Sequence, residues 1–303
     1  MSELLSICVP TYNRAAYLTD LLESLAHDHE VSPWGDEIVV YVSDNASTDT
    51  TPAVIAEFAR RLPLRSHRNA KNIGGDRNFS RLIDLSDGDY FWLIGDDETI
   101  LPGSLAGVRD LLRTKSHGLV LLPSVRAQAD GPLVVLPYAR GAVEAALVAP
   151  VAEVFPDYGA FIARHLAGDP FAMIGHSLLS YNIIRRDCSD RELHRRILNS
   201  EDIYYAHMFS LTGGLRRSGA SVYAGATPVV VVRQERAPVA ASRLLIRRGW
   251  SRYLDWLGRE YQQPALSRYG RSLFSSWDRL SFALRRLSGW QPPGWGTSAD
   301  GGG

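Results

Sequence analysis

The chain is poor in the features that would narrow its class at once. It has only two cysteines, Cys8 in an apolar strand-like run and Cys188 in a charged stretch. Neither a disulfide framework nor a metal spacing can be drawn from them, and a reducing cytoplasm is the expected setting. A net charge is missing too, because Lys+Arg and Asp+Glu both total 33. That balance gives no global argument for nucleic acid or for an acidic partner. Long hydrophobic runs are absent, so no transmembrane helix is expected. Met1-Ser2-Glu3 is acidic and the apolar run from Leu4 to Val9 is short, which speaks against a signal peptide. No internal repeat is present.

What remains is the make-up of an ordinary soluble enzyme: 303 residues, 45% hydrophobic and 22% charged. Such a chain can form one large domain, or one plus a small appendage, and disorder as its main state is excluded.

Leu4 to Val9 is a strand ended by Pro10, and Tyr17, Leu18, Leu21, Leu22 and Leu25 then repeat at helical spacing. Ile38 to Val42 gives a second strand that stops at Ser43-Asp44-Asn45-Ala46-Ser47-Thr48-Asp49, a cluster of turn and N-cap residues. A helix with Val54, Ile55, Phe58 and Leu62 follows, then a short third run near Leu64 and a loop from Asn69 to Gly75. Phe79, Leu82 and Ile83 mark the next helix, and Tyr90 to Ile94 the fourth strand. Strands alternating with helices at this spacing predict an α/β fold with a Rossmann-like, mostly parallel, doubly wound sheet. Pro102 then opens a helix, and Gly118 to Leu122 reads as a fifth strand. Beyond it the expectations are a hairpin around Asp130-Gly131-Pro132, a helix with Phe161, Ile162 and His165, a strand within Ser177 to Ile184, and a last sheet strand from Val229 to Val232.

The boundaries follow: an α/β domain over 1–236, whose parts 1–112 and 113–236 are expected to bind nucleotide and acceptor in a catalytic domain only by the resemblance described below, a basic, aromatic-rich C-terminal helical appendage over 237–292, and a Gly-rich disordered tail over 293–303. Between Arg243 and Trp290 ten arginines face Asp255, Glu260 and Asp278, an excess of seven positive charges. Trp250, Tyr253, Trp256, Leu257 and Tyr261 repeat at helical spacing among them. Two readings stay open for 243–290: a helix on an anionic membrane surface, or one packing its aromatic stripe on the main domain or a second subunit of a homodimer. Nucleic-acid binding ranks last and is not expected.

The fourth strand ends at three consecutive carboxylates, Asp96-Asp97-Glu98. Adjacent like charges repel unless a cation sits among them, so a divalent metal is one reading and a solvated acidic turn before a helix is the other.

Four elements in order carry a resemblance: Val9-Pro10-Thr11-Tyr12-Asn13-Arg14; Val42 to Asp49; Asn72-Ile73-Gly74-Gly75 with Asn78; and Gly95-Asp96-Asp97-Glu98 with Pro102. Together they resemble the GT-A glycosyltransferases of family 2, strongly to about Leu112 and partly around Glu201-Asp202. The resemblance implies an inverting, nucleotide-sugar-dependent transferase, acting on a saccharide or lipid-linked saccharide in polysaccharide or glycoconjugate synthesis. It implies that Pro10, Thr11, Tyr12, Arg14, Asp44, Asn72, Gly74, Arg77 and Asp96 hold the nucleotide, and that Asp97 and Glu98 hold Mn²⁺ or Mg²⁺. Asp202 matches the base and Glu201 an orienting acid, with His176 and Arg233 as contacts to diphosphate or acceptor. The usual first acid of D-x-D is Gly95 here.

Each residue also has a plainer reading. Tyr12 fits a rim aromatic, Asp44 an N-cap or turn residue, Ser200-Glu201-Asp202 a capped helix start, and His176 a structural hydrogen-bonding residue. Two other functions stay open. A nucleotidyltransferase would release pyrophosphate, although no basic Gly-rich signature follows the first strand; a non-catalytic nucleotide-sugar binding module would bind without transfer. Peripheral attachment to the inner face of the cell membrane is the localisation that the membrane reading implies.

Overall fold

The structure is a computed structural model that describes residues 2–114, 116–127, 134–136, 152–166, 179–199, 206–233, 249, 251–268 and 270–271. The chain divides into two compact units, Met1–Ser200 with Ala206–Gln234, and Glu201–Tyr205 with Glu235–Gly303.

The first unit begins β1 (Leu5–Thr11), α1 (Ala15–Val31), β2 (Ile38–Asp44), α2 (Thr51–Phe58), β3 (Leu64–Arg68), α3 (Gly75–Leu85), β4 (Tyr90–Leu93), β5 (Glu98–Ile100) and α4 (Ser104–Thr114). It continues with β6 (Leu119–Leu121), β7 (Ser124–Ala127), β8 (Val134–Leu136), β9 (Glu153–Phe155), α5 (Tyr158–Leu166), β10 (Asn182–Arg185), α6 (Arg191–Leu198), α7 (Ala206–Ser218), β11 (Val222–Ala224) and β12 (Val230–Arg233). The main sheet has the order β3-β2-β1-β4-β10-β6-β11-β9.

β1, β2 and β4 are almost wholly buried, as continuous apolar runs must be when helices cover both faces. Leu5, Ile7, Leu21, Val40 and Trp92 meet in one core. Trp92 is fully buried and satisfies its indole by donating Nε1–H to the Ser180 carbonyl at 2.8 Å. Buried Asp28 on α1 accepts from Trp34 Nε1 at 3.2 Å and from the Leu105 amide at 3.4 Å, which ties the start of α4 to α1.

β1 pairs parallel with β2 on one side and with β4 on the other. The chain winds outward to β3, then returns across β1 to place β4, which makes the carboxyl ends of β1 and β4 the topological switch point where open α/β sheets form a ligand crevice.

Beyond β4 the parallel run stops. β10 lies antiparallel between β4 and β6, and β9 lies antiparallel to β11. Two sequence expectations shift here. Of the strand expected within Ser177 to Ile184, residues 177–178 lie outside the described residues, Leu179–Tyr181 is a 3-10 turn and the strand is Asn182–Arg185, and the one expected at Val229 to Val232 is not in the main sheet. It is β12, in a second sheet of order β5-β12-β7-β8, where the expected hairpin is the antiparallel β7–β8 pair.

In the second unit, Ser251–Glu260 is a helix whose Ser251, Tyr253, Leu254 and Leu257 are buried while Arg252 and Arg259 are exposed. Tyr253 and Leu257 of the aromatic stripe are covered, Trp256 and Tyr261 are partly exposed, and of the outward arginines Arg259 pairs with Asp255 at 3.1 Å. Gly258 is needed for close approach, since a Cβ on it would lie 2.5 Å from the Ser267 amide nitrogen. Trp250 and the tail over 293–303 lie outside the described residues. Among the described residues, no helix is long and apolar enough to cross a membrane.

Candidate functional site

Three segments meet at the switch point. Thr11, the last residue of β1, stands opposite Asp44, the last of β2. Its hydroxyl donates to Asp96 Oδ2 at 2.8 Å, so the β1 end is tied to the acid run after β4. Arg14 completes the tie, with Nε 3.1 Å from Asp96 Oδ1 and Nη2 2.7 Å from Asp97 Oδ2. Its guanidinium carbon lies 4.6 Å from the centre of the Tyr17 ring.

The three acids differ in setting. Asp96 is 5% exposed, and burial pushes its carboxyl up to about 6 despite the Thr11 hydrogen bond and nearby Arg14. Asp97 is half-exposed, its side chain 39% accessible. Glu98, on β5, accepts weakly from the Gly95 amide at 3.3 Å, and desolvation pushes it up to about 7 although Ser180 favours its charged form. Gly95 has a reason: a Cβ built there would meet Asp97 Oδ1 at 2.8 Å. Small size at 95 is what lets the Asp97 carboxylate lie where it does.

Among the described residues no group of three or more His, Cys, Asp or Glu side chains could hold a metal ion. A full protein cage is not what Mg²⁺ or Mn²⁺ requires with a phosphate ligand, because one or two carboxylates suffice when diphosphate oxygens and water supply the rest. A half-exposed, hard-oxygen Asp97 fits such a substrate-completed site, whereas Glu98 is turned towards Gly95 and Ser180.

Asp44 is a turn residue, as one reading of the sequence had it, and not an N-cap. Its Oδ1 accepts the Ser47 amide at 2.8 Å, and its Oδ2 pairs with Arg68. A carboxylate has about four acceptor positions, so capacity remains for a ligand N–H or hydroxyl. Pro10 lies within β1, and Tyr12 is 42% exposed at the rim. Arg77 stands exposed on α3.

The loop that carries Asn72 and Gly74 is held by asparagines. Asn45 Nδ2 donates to Asn72 Oδ1 at 2.9 Å, and Asn45 Oδ1 accepts from the Ile73 amide at 3.0 Å and from Asn69 Nδ2 at 3.1 Å. Asn78 Oδ1 accepts from Asn69 Nδ2 at 2.8 Å and from Ser43 Oγ at 2.7 Å, while its Nδ2 donates to the Ser43 carbonyl at 2.9 Å. Gly74 has φ +85°, a conformation glycine adopts without steric cost, and α3 starts immediately after it. Sequence reasoning missed this network. Asn45 and Asn69 carry no local signal, because their partners come from separate segments. Asp49, the last of the turn and N-cap cluster expected from the sequence, accepts from Thr51 N at 3.0 Å at the start of α2, and its second bond, from Ala15 N at 3.1 Å at the start of α1, is the part that local sequence did not show.

Glu201, Asp202 and His176 lie outside the described residues, as does the side chain of Arg233.

The model of the family described as "Glycosyl transferase family 2" matches residues 6–165. The abequosyltransferase RfbV of Salmonella typhimurium is 37% identical over 115 residues, which span 37% of this chain and 34% of that relative. The chain thus covers about a third of that relative's length. The crystal structure of S. aureus TarS 1–349 in complex with UDP-GlcNAc aligns with a TM-score of 0.59 at 16% identity, covering 94% of this chain and 74% of that one. The mannosyltransferase PcManGT from Pyrobaculum calidifontis, in complex with GDP-Man and Mn²⁺, aligns at 0.55 and 16% identity over 96% and 77%. These likenesses establish the GT-A fold. With the family match extending over more than half of the chain, the protein belongs to glycosyl transferase family 2.

Proposed function

We propose that the protein transfers a hexosyl or deoxyhexosyl group from a nucleotide-sugar donor to a hydroxyl of a saccharide or lipid-linked saccharide, in one displacement with inversion, for cell-surface polysaccharide or glycoconjugate synthesis. One observation carries the proposal: Thr11, Asp44, Asp96 and Asp97 come together at the carboxyl ends of β1, β2 and β4. The relatives support it. TarS was solved with UDP-GlcNAc and PcManGT with GDP-Man and Mn²⁺, and RfbV is an abequosyltransferase.

In this reading the base and ribose lie between Tyr12 and Asp44, with the Gly74 loop bringing backbone close to the nucleotide. Asp96 is held by Thr11 and turned to the ribose or sugar-phosphate. Asp97 would hold Mn²⁺ or Mg²⁺, which when bound stabilises the charge developing on the departing nucleoside diphosphate. Arg14 and Arg77 are placed to offset phosphate charge. Displacement at the anomeric carbon needs the acceptor hydroxyl to lose its proton, and we assign that step to Asp202, with Glu201 orienting the acceptor and His176 and Arg233 as further contacts. Work on the cytoplasmic side belongs to the same proposal. For the C-terminal region, the burial of Tyr253, Leu254 and Leu257 supports a packed helix better than an apolar stripe inserted in a membrane, and an electrostatic contact of its arginines with an anionic membrane surface stays part of the proposal.

A panel of nucleotide sugars with Mn²⁺ tests the proposal. The wild-type protein should transfer or hydrolyse at least one donor, Asp97→Ala should lose about 10²–10³-fold in rate, the scale of one lost charge-stabilising group, and Asp202→Asn should lose transfer while donor binding persists. No turnover of any donor, with nucleotide affinity unchanged in Asp97→Ala, would sink it.

A further inference from the structure

We infer that Arg14 is a built-in cation of the acid cluster that competes with the divalent ion for Asp97 and turns to the diphosphate when that ion binds. The inference rests on the glycosyl-transfer reading above. One guanidinium, on the turn after β1, spans two carboxylates of the segment after β4: Nη2 lies 2.7 Å from Asp97 Oδ2, and Nε 3.1 Å from Asp96 Oδ1. The other Asp97 oxygen fills the space that a side chain at Gly95 would need.

These two facts fit together. An acid at position 95 would add a third negative charge beside Asp96 and Asp97 and would push the Asp97 carboxylate out of its place against Arg14. With Gly95, the two aspartates carry two negative charges, and Arg14 offsets one of them. A divalent ion seeking Asp97 therefore meets a cation already bound to it, and like charges at this range repel. Arg14 and Asp97 are both partly open to solvent, with side chains 36% and 39% accessible, so their exchange disturbs no core packing. Once released from Asp97, Arg14 keeps its anchor to Asp96 and its seat over Tyr17, and its planar fork suits two phosphate oxygens at once. Arg14 is then a positioning residue for the metal and a direct contact for the diphosphate.

Mn²⁺ affinity, read by electron paramagnetic resonance of the free ion, tests this without any turnover. The full chain is titrated as wild type, Arg14→Gln and Arg14→Lys, each with and without inorganic pyrophosphate as the probe. Arg14→Gln should bind Mn²⁺ alone about tenfold more tightly than wild type, the scale of one removed competing charge. Arg14→Lys, which keeps the charge but not the two-acid bridge, should fall between them and carries the test if the Gln variant does not fold. Pyrophosphate should raise Mn²⁺ affinity by a larger factor in wild type than in Arg14→Gln, because only wild type has a freed guanidinium to give to it. Equal or weaker Mn²⁺ binding by both variants, with pyrophosphate still bound, makes Arg14 a mere brace and overturns the inference alone. If no form binds Mn²⁺ even with pyrophosphate, the assignment of Asp97 to the metal falls, and this inference with it.

Discussion

The two halves of the main sheet are built differently. From Leu5 to Leu93 the strands are parallel; β1 and β2 are seven residues each, and the polar groups at their carboxyl ends are tied by side chains from separate segments. From Leu119 onward the strands are three or four residues, antiparallel pairs interrupt the parallel order, and stretches such as 137–151 and 167–178 lie outside the described residues. Long buried strands fix the nucleotide side of the site through backbone register. The described strands of the other half are only three or four residues long, so register fixes them less firmly.

This contrast suggests where substitutions should hurt. The largest effect is expected in the core beneath the site: Trp92→Ala should cost about 3–5 kcal/mol in urea unfolding, since it empties a fully buried site and strands the Ser180 carbonyl. Next comes the polar network. Asn78→Ala removes the partner of the Ser43 hydroxyl and carbonyl and of Asn69, and should cost about 1–3 kcal/mol while weakening nucleotide binding. If Asn78→Ala proves neutral in both measurements, the asparagines do not hold the loop, and the contrast between the halves loses its main support.

A smaller effect concerns pH. Glu98 is pushed up to about 7 from an ordinary 4.5, so the folded chain keeps this proton when the unfolded chain has lost it. Stability from this group is therefore full below about 4.5 and is lost as pH rises through about 7. Asp96, raised to about 6, acts in the same direction. Buried His194, lowered to about 4, acts in the opposite one, because the folded state resists its protonation as pH falls. The observable is thus the difference between proteins: Glu98→Gln should retain, on passing from pH 4.5 to 7, stability that wild type loses. Parallel pH curves for the two would mean that the carboxyl is not buried as described.

How much of this was legible in the sequence follows the same division. β1, β2 and β4 are readable because a strand buried on both faces is an uninterrupted apolar run, and the acids after β4 stand out because nothing apolar separates them. β5 was not readable, since Glu98-Thr99-Ile100 carries an acid and runs into Pro102; its pairing with Val230 to Val232 comes from far along the chain. β9 and β11 were missed because neither sits in a longer apolar run as the equally short β6 does: Glu153-Val154-Phe155 begins with an acid, and Val222-Tyr223-Ala224 is followed by Gly225. At the site, the residue types at the strand ends were legible. The work of Asn45 and Asn69, and the reason for Gly95, were not, because each depends on an atom contributed by another segment or by a side chain folding back.

The central claim, that Asp97 and the strand ends around it form a metal-assisted nucleotide site, is tested most directly by thermal shift of the full chain with nucleoside diphosphates, with and without Mn²⁺. Wild type should gain a Tm rise with at least one diphosphate that grows with its concentration and increases further with Mn²⁺, while Asp97→Ala keeps its fold but loses the Mn²⁺ increment. No rise with any nucleoside diphosphate, or a Mn²⁺ increment undiminished in Asp97→Ala, would contradict it.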